Sequence, residues 1–219
     1  MRIHIILFAL FFPLLAFSQY DNHIDINGNK QGIWTKNHDN GSLRYKGQFK
    51  DNIAYGIFNY YFSTGEIQAK KEFFHNGLAA ATHIFYKNGQ LKASGLYVNE
   101  LKDSTWNYLS KDSVLMMSEQ YKKGQLNGVT KTYYYTGDLY EIRNWSEGIE
   151  NGVWVQYFIS GAIQMESIYN NGRREGENIY YHPNGEVYFK GLYLDDRKSG
   201  AWEYFTDKGV SDTIINYNE

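Results

Sequence analysis

The sequence predicts an all-β chain: an elongated repeat array of eight 24-residue β-hairpins forming a twisted, antiparallel, single-layer meander. Three observations carry that prediction. From Gly28 to Glu219 the chain repeats every 24 residues without insertion or deletion. One lattice of this period holds Gly32, Gly56, Gly128, Gly152, Gly176 and Gly200, with Ala80 and Ser104 at its two remaining places. A second holds Gly41, Gly65, Gly89, Gly137, Gly161, Gly185 and Gly209, with Ser113 as the exception. A fixed period of this size marks an array in which each unit contacts mainly its neighbours.

Residues 1–18 stand outside the array. Arg2 precedes an apolar run over residues 3–17 that is broken only by His4 and Pro13, and Ala16 and Ser18 occupy the small-residue positions of a cleavage site. The run falls short of the ~20 apolar residues of a membrane span, so it reads as a secretory signal peptide cut after Ser18. An uncleaved anchor is the alternative. The expected location is therefore exported: periplasmic, cell-surface or secreted. Residues 19–27 lead into the array at 28–219. The chain has no cysteine, which rules out disulfide stabilisation and a cysteine-linked lipid anchor. With 22 basic and 24 acidic residues the net charge is −2. Basic pairs such as Lys70-Lys71 and Arg173-Arg174 are dispersed among acids, so no nucleic-acid partner is expected.

Within one repeat, residues 148–171, a run of β-formers (Val153 to Ile159) meets Ser160-Gly161, then a second alternating run (Ile163 to Tyr169) and a polar loop. Elsewhere the central turn reads Asn40-Gly41, Asn88-Gly89 and Asn184-Gly185, a strong hairpin signal because both residues tolerate positive φ. A two-residue turn at Asn40-Gly41 pairs Gly32 with Phe49 and Trp34 with Gly47. The same register sets Gly56 against Phe73, Ala80 against Tyr97, Ser104 against Tyr121 and Gly128 against Trp145. It continues with Gly152 against Tyr169, Gly176 against Tyr193 and Gly200 against Tyr217. A ring covering bare backbone supplies a packing reason for each lattice glycine.

This register puts Trp34, Trp106, Trp154 and Trp202 on one packing face, together with Leu43, Ile67, Leu91, Leu115, Leu139, Ile163 and Val187. From the third repeat on, tryptophan alternates with Thr82, Thr130 and Asn178, a 48-residue super-period. Large and small residues in alternation let indoles lie over their neighbours, although a ligand ladder reads the same way. The opposite face is mostly polar, with Arg44, Lys46, Gln68, Lys70, Lys92, Gln164, Glu166 and Lys190. An aromatic column nevertheless crosses it: Tyr61, Phe85, Tyr133, Tyr157, Tyr181 and Phe205, with Leu109 in the fourth repeat and Tyr140 and Tyr188 alongside. An exposed stripe of rings has the chemistry of a recognition surface. Equally, the rings could cover one another and stiffen a thin sheet. These eight aromatic residues are the candidate binding set.

A glycine, an aromatic-rich strand, Asn-Gly and a Leu-led strand ending in tyrosine together resemble the MORN repeat. Stretches such as NGVWVQYFISGAIQMESIYNNG and SGAWEYFTDKG look like its bacterial variant, often found in proteins described as antitoxin-like. The resemblance spans residues 28–219. It implies a single-layer array used for binding and scaffolding, with phospholipid or protein partners in eukaryotic relatives. An antitoxin role in the cytoplasm sits poorly with a signal peptide.

No catalytic signature is present. His38 and His182 lie six repeats apart, and His75 and His83 have no carboxylate or cysteine at ligand spacing, so neither metal nor cofactor is expected. No nucleophile elbow or phosphate-cradling loop is seen. The reading is a non-enzymatic scaffold for another protein or a cell-surface polymer. Membrane contact has little support from balanced charge, and self-association through open edges is the remaining possibility. The irregular segment 78–113, with Leu78-Ala79-Ala80-Ala81, Ser104 and Ser113, is expected to form a bend or a docking point.

Overall fold

A computed structural model describes residues 21–217, so the signal peptide expected at 1–18 lies outside the described residues. The chain forms one open antiparallel sheet of 19 strand segments running as a meander, and no helix occurs among the described residues. A short β1 (His23–Ile24) caps β2 (Lys30–Asn37). β2 then forms a hairpin with β3 (Leu43–Lys50), followed by β4 (Ile53–Tyr61) with β5 (Ile67–Phe74) and β6 (Ala79–Phe85) with β7 (Leu91–Val98). The fourth hairpin joins β8 (Leu101–Leu109) to β9 (Leu115–Lys122). In the fifth, β10 (Gln125–Leu126) and β11 (Gly128–Tyr133) together precede β12 (Leu139–Ser146). β13 (Ile149–Tyr157) pairs with β14 (Ile163–Asn170). β15 (Arg173–Arg174) and β16 (Gly176–Tyr181) precede β17 (Val187–Leu194), and β18 (Arg197–Phe205) pairs with β19 (Ser211–Tyr217). All substantial contacts between elements are between ladder neighbours.

All eight expected pairs form, from Gly32 with Phe49 to Gly200 with Tyr217. They form by a different route. The central turns are three-residue loops: His38 N–H donates to Ser42 O at 2.8 Å and Gly41 N–H to His38 O at 2.9 Å. Only Gly41 takes positive φ (85°), and Asn40 does not. Asn40 instead accepts the Ser42 N–H at its Oδ1 (3.1 Å) and donates from Nδ2 to Ser63 O of the next hairpin (3.0 Å). A one-residue bulge follows at once, because Lys36 faces Tyr45 while Asn37 faces Leu43, leaving Arg44 unmatched. The bulge absorbs the odd loop residue and restores the parity of the ladder.

Two-residue turns with both φ positive occur instead between hairpins, as at Asp51-Asn52 (51° and 66°) and Asn171-Gly172 (49° and 82°). Just beyond each such turn the next strand carries two surplus residues: Lys46 faces Asn59, but Gln48 faces Tyr55. The first lattice sits at this bulge, and its members are left-handed, with φ of 64° at Gly56, 57° at Ser104 and 111° at Gly152. A Cβ on Gly56 or Gly200 would meet nothing within 4 Å. The lattice is therefore glycine for backbone conformation, which corrects the expectation that covering rings dictate it.

Ala80 gives the proof by exception. It lacks positive φ, and among the junctions between successive hairpins only that of β5 with β6 keeps one register throughout, from Ala69 with Ile84 to Phe74 with Ala79. The two surplus residues move into the preceding loop, His75–Leu78, which closes with Leu78 N–H donating to His75 O at 3.2 Å. Beyond the loop the register is unchanged, since Lys70 faces His83 as Lys46 faces Asn59 one repeat earlier. The junction that opens the irregular segment 78–113 is thus free of the register shift, whereas β7 and β8 within that segment shift between Ser94 and Leu96 as the other junctions do.

The packing face buries two of the four indoles in its tryptophan column without a second layer, Trp34 and Trp154 staying half-buried. Trp106 is 1% and Trp202 0% exposed. Each lies over a glycine of the preceding strand: a Cβ on Gly95 would stand 2.3 Å from Trp106, and one on Gly191 2.4 Å from Trp202. Phe58 does the same over Gly47. The rings that close each hairpin then meet the indoles edge-on, with Tyr97 and Trp106 centroids 4.9 Å apart. Where Thr82, Thr130 or Asn178 replaces the indole, that residue is itself buried.

Candidate functional site

The bulge after each central turn also reassigns a column. Tyr61 pairs with Ile67, Phe85 with Leu91, Leu109 with Leu115, Tyr133 with Leu139, Tyr157 with Ile163 and Tyr181 with Val187. Directly paired residues share a face of an antiparallel ladder. The aliphatic column therefore leaves the packing face and joins the aromatic one, contrary to the parity expected from the sequence. Asn37 faces Leu43, and Phe205 faces Ser211, so the pattern fades at both ends of the array. The rings expected as an exposed stripe are half-buried.

Tyr140 and Tyr188 are the bulge residues themselves, packed against the turn rings of their own hairpins. Tyr140 meets Tyr134 edge-on at 5.1 Å, and Tyr188 lies 4.7 Å from His182. Those turn rings tie one hairpin to the next. Tyr134 OH donates to Tyr157 O at 2.7 Å and Tyr86 OH to Leu109 O at 2.8 Å. His38 and His182 place Nε2 at 3.0 and 3.1 Å from Tyr61 O and Phe205 O, so in these pairs the ring N–H is the donor. Odd hairpins use this tie and even ones do not, which extends the 48-residue super-period to the turns. Tyr181 OH donates to Glu166 at 2.7 Å. Burial and that carboxylate push the Tyr181 phenol up to about 12.

Between the rings and lysines the same face exposes aliphatic side chains that the reading as mostly polar overlooked. Ile57, Val153, Ile168, Leu192 and Ile214 are 45–58% exposed, and Val153 faces Ile168 across the ladder. Their signal is in the sequence, because Ile57 and Val153 each stand four residues before a column ring.

On the packing face, cations lie over rings. Lys102 Nζ stands 5.0 Å from the Trp106 ring and 4.7 Å from Tyr121, and donates to Tyr108 OH at 2.6 Å. Lys198 repeats this over Trp202 at 4.1 Å. Arg143 stacks on Trp154 at 4.3 Å and bridges Glu141 and Glu150, both at 2.7 Å. These contacts are worth about 0.5–2 kcal/mol each and hold the array together. Two hollows, of about 360 and 290 Å³, flank the lengthened loop 75–78 and share Phe73 and Gly77. Among the described residues no three His, Cys, Asp or Glu side chains group as metal ligands. No helix among them is long and apolar enough to cross a membrane.

Three segments, residues 30–51, 84–99 and 174–195, match the family model described as MORN repeat variant. Over these segments the chain is similar to the MORN repeat. Two of the matches, 30–51 and 174–195, run from the start of a hairpin to the first residue of the left-handed turn that follows it. The MORN-like unit is thus one hairpin with its exit turn. MORN repeats generally serve as protein- or membrane-binding modules without catalysis. No curated protein matches the chain. A solved structure described as the crystal structure of the GtfA/B complex bound to UDP and GlcNAc is similar over 49% of this MORN-like chain and 21% of that one, at 14% identity. Its TM-score is 0.23, too low for the likeness to carry weight.

Proposed function

We propose that this MORN-like array is an exported, non-enzymatic scaffold that binds a protein partner or a cell-surface polymer through its aromatic–aliphatic face. One observation supports this above the others: ring and aliphatic side chains pair directly, hairpin after hairpin, from Tyr61 with Ile67 to Tyr181 with Val187. The result is a half-buried apolar stripe on one side of a single layer, flanked by exposed Val153, Ile168 and Leu192. Apolar area of this kind, rimmed by Lys190 and Glu166, gains by being covered. The tyrosine hydroxyls add directional contacts at low entropic cost.

The test replaces Tyr133, Tyr157 and Tyr181 together with serine and compares retention of native envelope components with that of the unaltered chain. Loss of a retained component, with circular dichroism and melting still cooperative, supports the face as the site. Unchanged retention sinks this placement. Vesicle co-sedimentation in parallel assigns any lipid contribution. N-terminal sequencing of the exported chain is expected to begin at Gln19.

A further inference from the structure

The junction between the second and third hairpins differs from its neighbours in one more respect. At positions 47, 95 and 191 the second strand carries glycine, and a ring lies over it. At the equivalent place β5 carries Lys71, which faces Thr82 rather than an indole. Thr82 is 1% exposed and small, so the volume an indole fills elsewhere is left to the lysine stem and an adjoining hollow. Ala79 and Ala80, 4% and 3% exposed, line that hollow. Ala80 also stands opposite Tyr97, whose ring lies on the same hollow. The lengthened loop contributes Leu78 to the lining, and Glu100 completes it.

Lys71 Nζ lies 4.5 Å from the Tyr97 ring and 6.0 Å from Tyr60. It makes no hydrogen bond or ion pair with a described side chain, whereas Lys102 and Lys198 in their own cages donate to tyrosine hydroxyls. Burial lowers the affinity of Lys71 for its proton, and the Glu100 carboxylate partly restores it. A half-buried ammonium with three unused donors calls for an acceptor. Only one cation serves the hollow, and Glu100 opposes further negative charge, which favours a monoanion over a phosphate. The Tyr60 and Tyr97 ring faces suit a saturated ring presenting C–H bonds. Glu100 can accept a hydrogen bond from a hydroxyl.

We propose that the hollow between Lys71, Tyr60, Tyr97 and Glu100 binds a sugar ring bearing a carboxylate, either a free uronic acid or one unit of an acidic polysaccharide. The carboxylate pairs with Lys71, the ring lies between the tyrosines, and a hydroxyl donates to Glu100. The site is on the packing face, separate from the Tyr133–Tyr157–Tyr181 stripe.

The experiment titrates the full chain with glucuronate, glucose, benzoate and a uronic-acid tetrasaccharide, following tyrosine fluorescence and heat. Glucuronate is expected to bind about tenfold more tightly than glucose, the scale of one charge-assisted hydrogen bond. Lys71→Met keeps the stem, removes a desolvated charge and folds; it is expected to erase that preference, and Tyr97→Leu is expected to weaken both sugars. The Tyr133/Tyr157/Tyr181 serine variant keeps glucuronate binding, so this site and the sheet-face reading fail separately. A tetrasaccharide that binds tighter than glucuronate assigns the polymer, and equal binding assigns the free sugar. The proposal is overturned if Lys71→Met binds glucuronate as the unaltered chain does, if benzoate matches glucuronate, or if no acid binds at all.

Discussion

The indole of Trp106 lies so close over Gly95 that a Cβ there would stand 2.3 Å from its Cδ2 and 2.4 Å from its Cε2. Trp106 cannot retreat, because Tyr97 meets it edge-on and its Nε1 donates to Leu96 O at 3.0 Å. Gly95→Ala is therefore expected to cost about 3 kcal/mol, at the upper end of overpacking, and Gly191→Ala about the same beneath Trp202. Denaturant unfolding measures both. A loss below about 0.5 kcal/mol would show that the ring relaxes freely.

Gly56 presents the opposite case, with open space around its missing Cβ and φ of 64°. Gly56→Ala should cost about 1–2 kcal/mol from left-handed strain alone. Ser104 already bears that strain at φ 57°, so Ser104→Gly is expected to stabilise the fold by roughly 1 kcal/mol. Equal and unfavourable effects of the two changes would argue that side-chain cover, and not φ, governs the lattice.

Tyr134→Phe removes the hydroxyl that donates to Tyr157 O while leaving the ring against Tyr140. The expected loss is about 1 kcal/mol. Hydrogen exchange should localise it to the fifth and sixth hairpins, since coupling in an array runs between neighbours. Protection lost uniformly along the chain would contradict that locality.

Alkaline titration reports the half-buried phenols. Desolvation and the Glu119 carboxylate push Tyr121 up to about 12, and Tyr181 rises as far beside Glu166. A phenol whose folded value exceeds its unfolded value, near 10, binds its proton more tightly when folded. Stability from these groups is full below pH ~10 and is lost as pH climbs toward ~12. The decline should be shallower in Tyr121→Phe and Tyr181→Phe, as read from unfolding free energies at pH 9, 10 and 11.

The lattice, the hairpin count and all eight small-to-ring pairs were legible in the sequence, because a period of 24 residues repeated eight times leaves little freedom in register. The loops were read less well. Asn40-Gly41 satisfies the pattern for a two-residue turn, yet a three-residue loop with a bulge at Arg44 gives the same net register. Parity arguments cannot tell one from the other. That ambiguity is why Leu139 and Ile163 were assigned to the wrong face, whereas Tyr133 and Tyr157 were not.

What the sequence by itself determined is the repeat and its pairing partners, since small residues and rings recur at a fixed spacing that only one register satisfies. Tertiary structure decided the rest: where surplus residues sit, which face the aliphatic column joins, and which cations find partners. Those outcomes depend on local φ preferences and three-dimensional room. Ala80, for which a left-handed φ is costly, goes with two surplus residues in the loop before it, and Thr82, too small to fill an indole's place, leaves Lys71 beside a hollow.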